Sequence, residues 1–140
     1  MIAAVPETLA VIDTDVFSHV FVRRGSQSRR DLRDRLIGRI PAIATQSRAE
    51  LLAWPQLRGW APDRARQLTE LIDTTTTVPV TDDVVAAYVE LQVSCVRSGH
   101  ALGQKIHASD RWIAATAIAL DRPLISSDAV FHGAPGLKLG

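Results

Sequence analysis

Short apolar runs alternate along this chain with longer segments in which apolar residues recur at helical spacing. The apolar runs predict strands at 9–12, 42–45, 77–80, 123–126 and, more weakly, 137–139. The periodic segments predict helices at 16–23, 28–39, 47–54, 62–73, 82–98 and 110–120. Alternation of this kind is typical of βαβ units, in which helices cover a parallel sheet. We therefore predict an α/β fold built on a parallel sheet.

Length and composition suit one compact domain covering 1–140. The chain has 140 residues, of which 46% are hydrophobic, and its formal net charge is +1, so disorder is not expected. No apolar run approaches the roughly 20 residues that a membrane span requires. Met1 to Leu9 contain no basic residue, which disfavours a secretory signal, and the lone Cys95 has no disulfide partner in the chain. We expect a cytoplasmic protein that does not bind membranes.

Acidic residues recur where predicted strands end or the following helices begin. Asp13 and Asp15 follow the first strand, Asp128 follows another, Glu50 falls in the first turn after the second strand, and Asp110 opens an alanine-rich helix. In open α/β sheets the ligand crevice lies beyond the carboxyl ends of the strands. Two carboxylates about 4 Å apart repel by roughly 4 kcal/mol at an effective dielectric near 20, so a cluster needs protons, cations or metal. A hard divalent cation with oxygen ligands would meet that need.

Most of these acids also have a local structural explanation. Ser47 and Glu50 match a capping box, in which the glutamate only reaches back to a backbone amide. Asp110 suits a helix start because of the macrodipole, and Asp128 suits the cap of a short turn. Taken singly, these three favour the structural interpretation. Asp13 ends a buried apolar strand, where we see no local use for an acid, so a functional role is favoured.

The segment from Arg23 to Arg39 is strongly basic, with seven arginines against two aspartates and a local balance of 7 − 2 = +5. Such a stretch could face a polyanion. Leu32, Leu36 and Ile40 recur at helical spacing in this segment and directly after it, so an amphipathic helix with an arginine-rich solvated face explains it equally well. The sequence leaves both interpretations open. The arginines are Arg23, Arg24, Arg29, Arg30, Arg33, Arg35 and Arg39.

Taken together and in order, the acidic segments resemble the PIN domain, and particularly the VapC-type toxins of bacterial toxin–antitoxin pairs. The matching pieces are Val11-Ile-Asp-Thr-Asp15, Ser47-Arg-Ala-Glu-Leu51, Asp110-Arg-Trp-Ile-Ala-Ala-Thr-Ala117, Leu124-Ile-Ser-Ser-Asp128 and Gly133-Ala-Pro-Gly-Leu137. They span nearly the whole chain. The resemblance implies a doubly wound, three-layer α/β fold, with a central, mostly parallel sheet of four or five strands flanked by helices.

The resemblance also implies a metal-dependent endoribonuclease. Its acidic positions carry over onto Asp13, Glu50, Asp110 and Asp128. Asp13, Asp110 and Asp128 are then expected to hold Mg²⁺ or Mn²⁺, and Glu50 a water on the metal or a second ion. Ser126 supplies the hydroxyl that the family places two residues before the last acid, whereas Asp15 falls at a more variable position.

The same resemblance implies three partners, namely an RNA substrate, a small cognate antitoxin and a second copy of the chain in a homodimer. In the basic segment, the candidate RNA contacts are Arg29, Arg30, Arg33 and Arg39.

Two alternatives from other classes stay open. Asp13-Thr-Asp15 has the form used by phosphatases that resemble the haloacid dehalogenase superfamily, with Asp13 as nucleophile and Asp15 as acid. Such an enzyme needs a phosphate-binding lysine, and only Lys105 and Lys138 exist. The other alternative is a catalytically silent, PIN-like RNA-binding module. The presence of all four acids argues against it.

Overall fold

The computed structural model describes residues 4–23 and 29–140, which form a parallel sheet and its flanking helices. The strands are β1 (Leu9–Ile12), β2 (Ile40–Ala44), β3 (Thr76–Val78) and β4 (Leu124–Ile125). The helices are α1 (Thr14–Phe17), α2 (Arg30–Leu36), α3 (Thr45–Leu57), α4 (Pro62–Thr74), α5 (Asp82–Ser98) and α6 (Ala108–Leu120). One π-helical turn, Ser18–Val22, continues α1, and short 3-10 turns lie at Ala101–Gly103, Lys105–His107 and Ala129–Phe131.

All four strands run parallel, in the order β3-β2-β1-β4. Strand β1 is central, and its Val11 pairs with Ala42 of β2 on one side and Leu124 of β4 on the other. The predicted fifth strand is reduced to a single parallel bridge between Leu124 and Leu139. Because the strands are parallel, their carboxyl ends share one edge of the sheet.

Alternate residues of β1 enter two separate cores. Leu9 and Val11 pack with buried side chains of α5 and α6, whereas Ala10 and Ile12 pack with those of α1 to α4. This follows from the two-residue period of a strand, which sends successive side chains to opposite faces. The lone Cys95 is fully buried in the first core. A three-layer α/β fold with a parallel sheet is thus confirmed.

Several predicted element boundaries were wrong. The first helix begins at Thr14 rather than at residue 16, and α6 begins at Ala108 rather than at residue 110. The helix expected over 28–39 is observed only from Arg30 to Leu36, and its predicted start lies outside the described residues. Helix α3 continues through Pro55 to Leu57, past the predicted end at Trp54. Side chains of α3 pack in the core that also contains Ala10 and Ile12, and this packing holds the turn that Pro55 weakens. Within the described ranges, no helix is both long and apolar enough to cross a membrane.

Candidate active site

The five acidic residues singled out from the sequence line one small cleft of about 80 Å³ at the carboxyl edge of the sheet. Asp13 and Asp15 come from the end of β1, Glu50 from α3, Asp110 from α6 and Asp128 from the loop after β4. Thr14 and Ile113 complete the lining, so none of the described lining residues is cationic. The parallel topology brings these acids together from four separate parts of the chain.

Asp13 has a local structural role that the sequence analysis missed. Its Oδ1 accepts a hydrogen bond from the Val16 amide at 2.7 Å and caps α1, so our inference that an acid here has no local use was wrong. Its Oδ2 accepts from the Ser126 hydroxyl. The pKa of Asp13 is raised to about 6, chiefly by burial and in smaller part by the Asp15 and Asp128 carboxylates, against the opposing effect of these two hydrogen bonds.

Ser126 links two of the acids through one hydroxyl. It is buried, donates to Asp13 Oδ2 and accepts from the Asp128 backbone amide at 3.0 Å. Asp128 in turn accepts from the Val130 amide at 2.9 Å and caps the 3-10 turn that follows, as its structural explanation predicted. Ser126 therefore holds the carboxyl ends of β1 and β4 in a defined relation.

The capping-box explanation of Glu50 is wrong. Helix α3 begins at Thr45, with Ala44 as its N-cap, so Ser47 lies inside the helix and Glu50 in the second turn. Ser47 is buried, and its hydroxyl shares a 2.9 Å hydrogen bond with the Thr14 hydroxyl. The backbone of Ser47 is thus already helical, which leaves the Glu50 carboxylate free to line the cleft.

The charges of the cleft act on Glu50. Burial raises its pKa, a hydrogen bond from Thr14 opposes the rise, and the carboxylates of Asp110 and Asp15 raise it further. Acids on α1 and α6 are therefore near enough to disfavour the ionisation of Glu50 on α3. A cation in the cleft would relieve this repulsion.

Asp110 lies in the first turn of α6, where the macrodipole favours an acid. Its Oδ2 is 3.0 Å from His107 Nδ1, a contact that the sequence analysis did not identify. The only sequence signal was the separation of three residues across a helix start. His107 belongs to a loop that the buried Arg111 holds through hydrogen bonds to the Leu102 and Gln104 carbonyl oxygens, at 2.7 Å and 2.5 Å.

The lining fits a hard divalent cation by its chemistry, because carboxylate oxygens are the ligands that such ions prefer. Across residues 4–23 and 29–140, no three Asp, Glu, His or Cys side chains are arranged as a ready ligand set for one ion. Both oxygens of Asp13 are already hydrogen-bonded. The carboxylates would therefore have to draw together around an ion.

The basic segment has two kinds of arginine. Arg30 and Arg33 are exposed, whereas Arg29 and Arg39 are partly buried, and none of these candidate RNA contacts lines the acidic cleft. Arg35 is structural, since it donates to the backbone oxygens of Ser126, at 3.1 Å, and Gly140, at 2.8 Å. Leu32 of α2 is fully buried, which fits the amphipathic interpretation, but Ile40 belongs to β2 and not to this helix. Arg24 lies outside the described residues.

Comparison with known proteins gives a family match over most of the chain. The PIN domain matches residues 10–137. A similar fold is found in VapBC2 from Rickettsia felis, whose structure was solved bound to a DNA fragment from the VapBC2 promoter. The TM-score is 0.74 at 17% identity, over 94% of this chain and 97% of that chain. VapBC-1 from nontypeable Haemophilus influenzae gives a TM-score of 0.73 at 16% identity, over 94% of this chain and 96% of that chain.

VapBC-5 from Mycobacterium tuberculosis gives a TM-score of 0.61 at 22% identity, over 94% of this chain and 97% of that chain. Among curated proteins no sequence matches. At these identities the solved structures show a common fold. The family match over residues 10–137, joined to the parallel sheet and the fold it shares with these structures, shows that this chain belongs to the PIN domain family.

Proposed function

We propose that this chain is a metal-dependent endoribonuclease, the toxin of a VapBC-type toxin–antitoxin pair, which hydrolyses RNA phosphodiester bonds. The observation that carries the proposal is the cleft itself, in which carboxylates from four parts of the chain converge without a cationic side chain in the described lining. Such repulsion has no structural use unless a cation compensates it. The similarity to solved VapBC structures supports the toxin assignment.

The proposed mechanism assigns a task to each acid. Asp13, Asp110 and Asp128 would hold Mg²⁺ or Mn²⁺, and Glu50 would hold a water on the metal or a second ion. A divalent cation held there would act as a Lewis acid and lower the pKa of water for in-line attack on phosphorus. Ser126 keeps the Asp13 carboxylate in place through its hydrogen bond.

The described contacts also favour a supporting task for His107 and leave Asp15 at the margin. His107 Nδ1, 3.0 Å from Asp110 Oδ2, restricts the rotation of that carboxylate. Asp15 is exposed at the rim of the cleft and adds negative charge without a described side-chain hydrogen bond. We assign Asp15 an electrostatic role, while the other four acids bind and orient.

The phosphatase alternative is disfavoured by the surroundings of its nucleophile. Asp13 is only 6% exposed, and both of its oxygens accept hydrogen bonds. Lys138 is paired with Asp121 at 2.6 Å, and neither it nor Lys105 is among the lining residues of the cleft. Oxygen-18 tracing in a phosphoenzyme trap tests this alternative, because a phosphatase of this type would form a covalent phosphoenzyme at Asp13.

Cleavage of RNA by the purified chain tests the proposal directly. We expect cleavage with Mg²⁺ or Mn²⁺ and none in chelator. Asp13→Asn, Asp110→Asn or Asp128→Asn should each slow it at least about a hundredfold, the scale on which loss of one electrostatic group slows catalysis. Asp63→Asn, at an exposed acid on α4, is the matched control and should be fully active. Cleavage in chelator would refute metal dependence, and RNA binding without cleavage would favour the silent module.

The partners follow from the same proposal. A small antitoxin should relieve the toxicity of this chain when both are expressed together and should form a stable complex with it. A chain that cleaves RNA in vitro but is harmless in cells would remove the toxin assignment and leave the nuclease. We also propose self-association, and RNA contact through the basic segment. The variant that tests this last contact, called the four-arginine variant below, neutralises Arg29, Arg30, Arg33 and Arg39.

A further inference from the structure

His19 lies in a π-helical turn directly after α1. This turn, Ser18–Val22, is closed by the Arg23 amide, which donates to the Ser18 carbonyl oxygen at 2.8 Å. Such turns are rare in proteins, and they occur frequently at functional sites. Asp15, four residues before His19, lines the acidic cleft. An uncommon backbone conformation therefore holds a histidine near the cleft, and the mechanism proposed above does not use this histidine.

Three buried nitrogen atoms of His19 and Arg29 have no hydrogen-bond partner within residues 4–23 and 29–140. They are His19 Nδ1 and, on Arg29, Nε and Nη2. No other buried side-chain nitrogen or oxygen in these ranges lacks a partner. Buried polar groups in native proteins are nearly always hydrogen-bonded, and a buried charged group without a partner is especially costly. The two side chains thus have unused donors for a ligand.

The positive charges of Arg29 and Arg23 act on the same histidine. Burial lowers the pKa of His19, the guanidinium groups of Arg29 and Arg23 lower it further, and the Asp15 carboxylate opposes them. The three basic side chains therefore lie close together, on the side of the cleft where Asp15 lies. A water molecule could accept hydrogen bonds from the free nitrogens, but it would not offset the positive charge. An anion would do both.

The free atoms of Arg29 indicate which anion fits. Nε and Nη2 lie on one edge of the guanidinium group, so they can donate two parallel hydrogen bonds to two oxygens of one anion. Arginine binds phosphates and carboxylates in this bidentate way. The neighbouring cleft is proposed to act on RNA, in which phosphates recur along the strand. Charge and position therefore favour a phosphate group.

We propose that His19, Arg23 and Arg29 form a phosphate-binding site beside the acidic cleft, and that it holds a backbone phosphate of the RNA strand on one side of the bond that is cleaved. Arg29 donates through Nε and Nη2, His19 donates through Nδ1, and the exposed Arg23 adds positive charge. Both His19 and Arg29 are only partly buried, and the long arginine side chain can rotate towards the strand. The assignment to RNA rests on the proposed function, whereas phosphate binding does not.

Proton NMR of the histidine rings, in the purified chain without RNA or metal, tests the site with inorganic phosphate. We expect phosphate to raise the pKa of His19 relative to chloride at equal ionic strength, because a bound anion favours the charged imidazolium. The ring signals of the exposed His132 should respond equally to both salts. A titration of His19 that is the same in phosphate and chloride would overturn the proposal.

Variants of Arg29 connect this response to the proposed donors. Arg29→Gln should abolish it, and Arg29→Lys, which keeps the charge but loses the paired donors, should retain only part of it. Arg97→Gln, at an exposed arginine in the last turn of α5, makes the same charge change and should respond like the wild type. Phosphate should also raise the midpoint of urea unfolding for the wild type more than for Arg29→Gln. An undiminished response in folded Arg29→Gln would overturn the proposed site.

Binding of a fluorescein-labelled single-stranded RNA, measured with Ca²⁺, tests the assignment to RNA. Arg29→Gln should weaken binding at least about tenfold and reduce the slope of log K against log salt by about 0.7, whereas Arg97→Gln should bind nearly as the wild type does. If phosphate acts on His19 but Arg29→Gln binds RNA like the wild type, the site takes free phosphate and the assignment to RNA is overturned. Neither measurement needs cleavage, so an inactive nuclease would leave both results unaffected. A chain that cleaves RNA but does not respond to phosphate would refute only this site.

Discussion

Replacing Asp13 by asparagine is expected to stabilise the metal-free protein at neutral pH, although Asp13 caps a helix. Burial raises the pKa of this carboxyl from 3.8 to about 6. Between these two pH values the folded state holds a proton that the unfolded state has released. The free energy of unfolding therefore falls as the pH rises through this window, and the loss is complete above about pH 6. At about 1.4 kcal/mol per pKa unit, the loss is about 3 kcal/mol.

The asparagine variant avoids this loss but gives up one acceptor. Asp13 accepts from both the Val16 amide and the Ser126 hydroxyl, and asparagine has one carbonyl oxygen for the two donors. A lost hydrogen bond costs about 1 kcal/mol. The variant should then be about 2 kcal/mol more stable than the wild type at pH 7.5, and no more stable than the wild type at pH 4.

Urea unfolding in chelator at these two pH values measures the effect. The difference between wild type and variant should change by about 3 kcal/mol between pH 4 and pH 7.5, and this comparison cancels the titration of all other groups. Asp63→Asn, an exposed control, should show no such change. Added Mg²⁺ should stabilise the wild type more than the Asp13 variant, because a ligand of the folded state shifts unfolding. A variant less stable than the wild type by the same amount at both pH values would refute the reasoning and make Asp13 a structural cap.

Three further predictions concern the cleft and the basic segment. Glu50→Gln should abolish RNA cleavage without lowering the midpoint of urea unfolding, since Glu50 caps nothing and burial and the neighbouring carboxylates raise its pKa as well. Ser126→Ala removes a hydrogen bond that lowers the pKa of Asp13, so the acid limb of the activity profile should move to higher pH, whereas Ser126→Thr should keep the wild-type profile. The four-arginine variant should flatten the salt dependence of RNA binding, which is measured with Ca²⁺. Each lost phosphate contact should reduce the slope of log K against log salt by up to about 0.7. A slope equal to that of the wild type would mean that α2 faces away from the RNA.

The position of the cleft could be predicted because it follows from topology. Strand β1 occupies 9–12 as predicted, and the parallel arrangement brings the ends of all strands to one edge. An acid placed just beyond such a strand must then lie near that edge, as Asp13 does directly after β1 and Asp128 does two serines beyond β4. The prediction needed only the apolar runs and the residues that follow them.

The roles of single side chains at helix starts could not be predicted, because they depend on the residue at which each helix begins. Ser47 matches a capping box, yet the chain is already helical at Thr45, two residues earlier. Asp13 matches no cap pattern that we recognised, yet its backbone is extended, with φ −77° and ψ 173°, and its carboxylate caps α1. A shift of two residues in a helix boundary therefore decides whether a side chain caps the helix or lies inside it.

Contacts between distant segments were equally inaccessible. Arg35 belongs to a run of arginines that looks like one solvated or polyanion-binding face. In the fold it donates to the backbone oxygen of Ser126, which is 91 residues away in the chain. Nothing in a helical pattern distinguishes an arginine with such a partner from its exposed neighbours Arg30 and Arg33.

The pairing of β1 with β4 makes assembly of the cleft wait for the synthesis of β4. Asp13 and the hydroxyl that holds it are 113 residues apart in the chain, and β1 leaves the ribosome long before β4 is translated. Until then Asp13 has only its helix cap, and Asp128 does not yet exist beside it. Pairings over such distances also form slowly, because the loop must close before the contact is gained. A nascent copy of this chain therefore lacks the assembled acids until β4 and the loop that follows it have been synthesised.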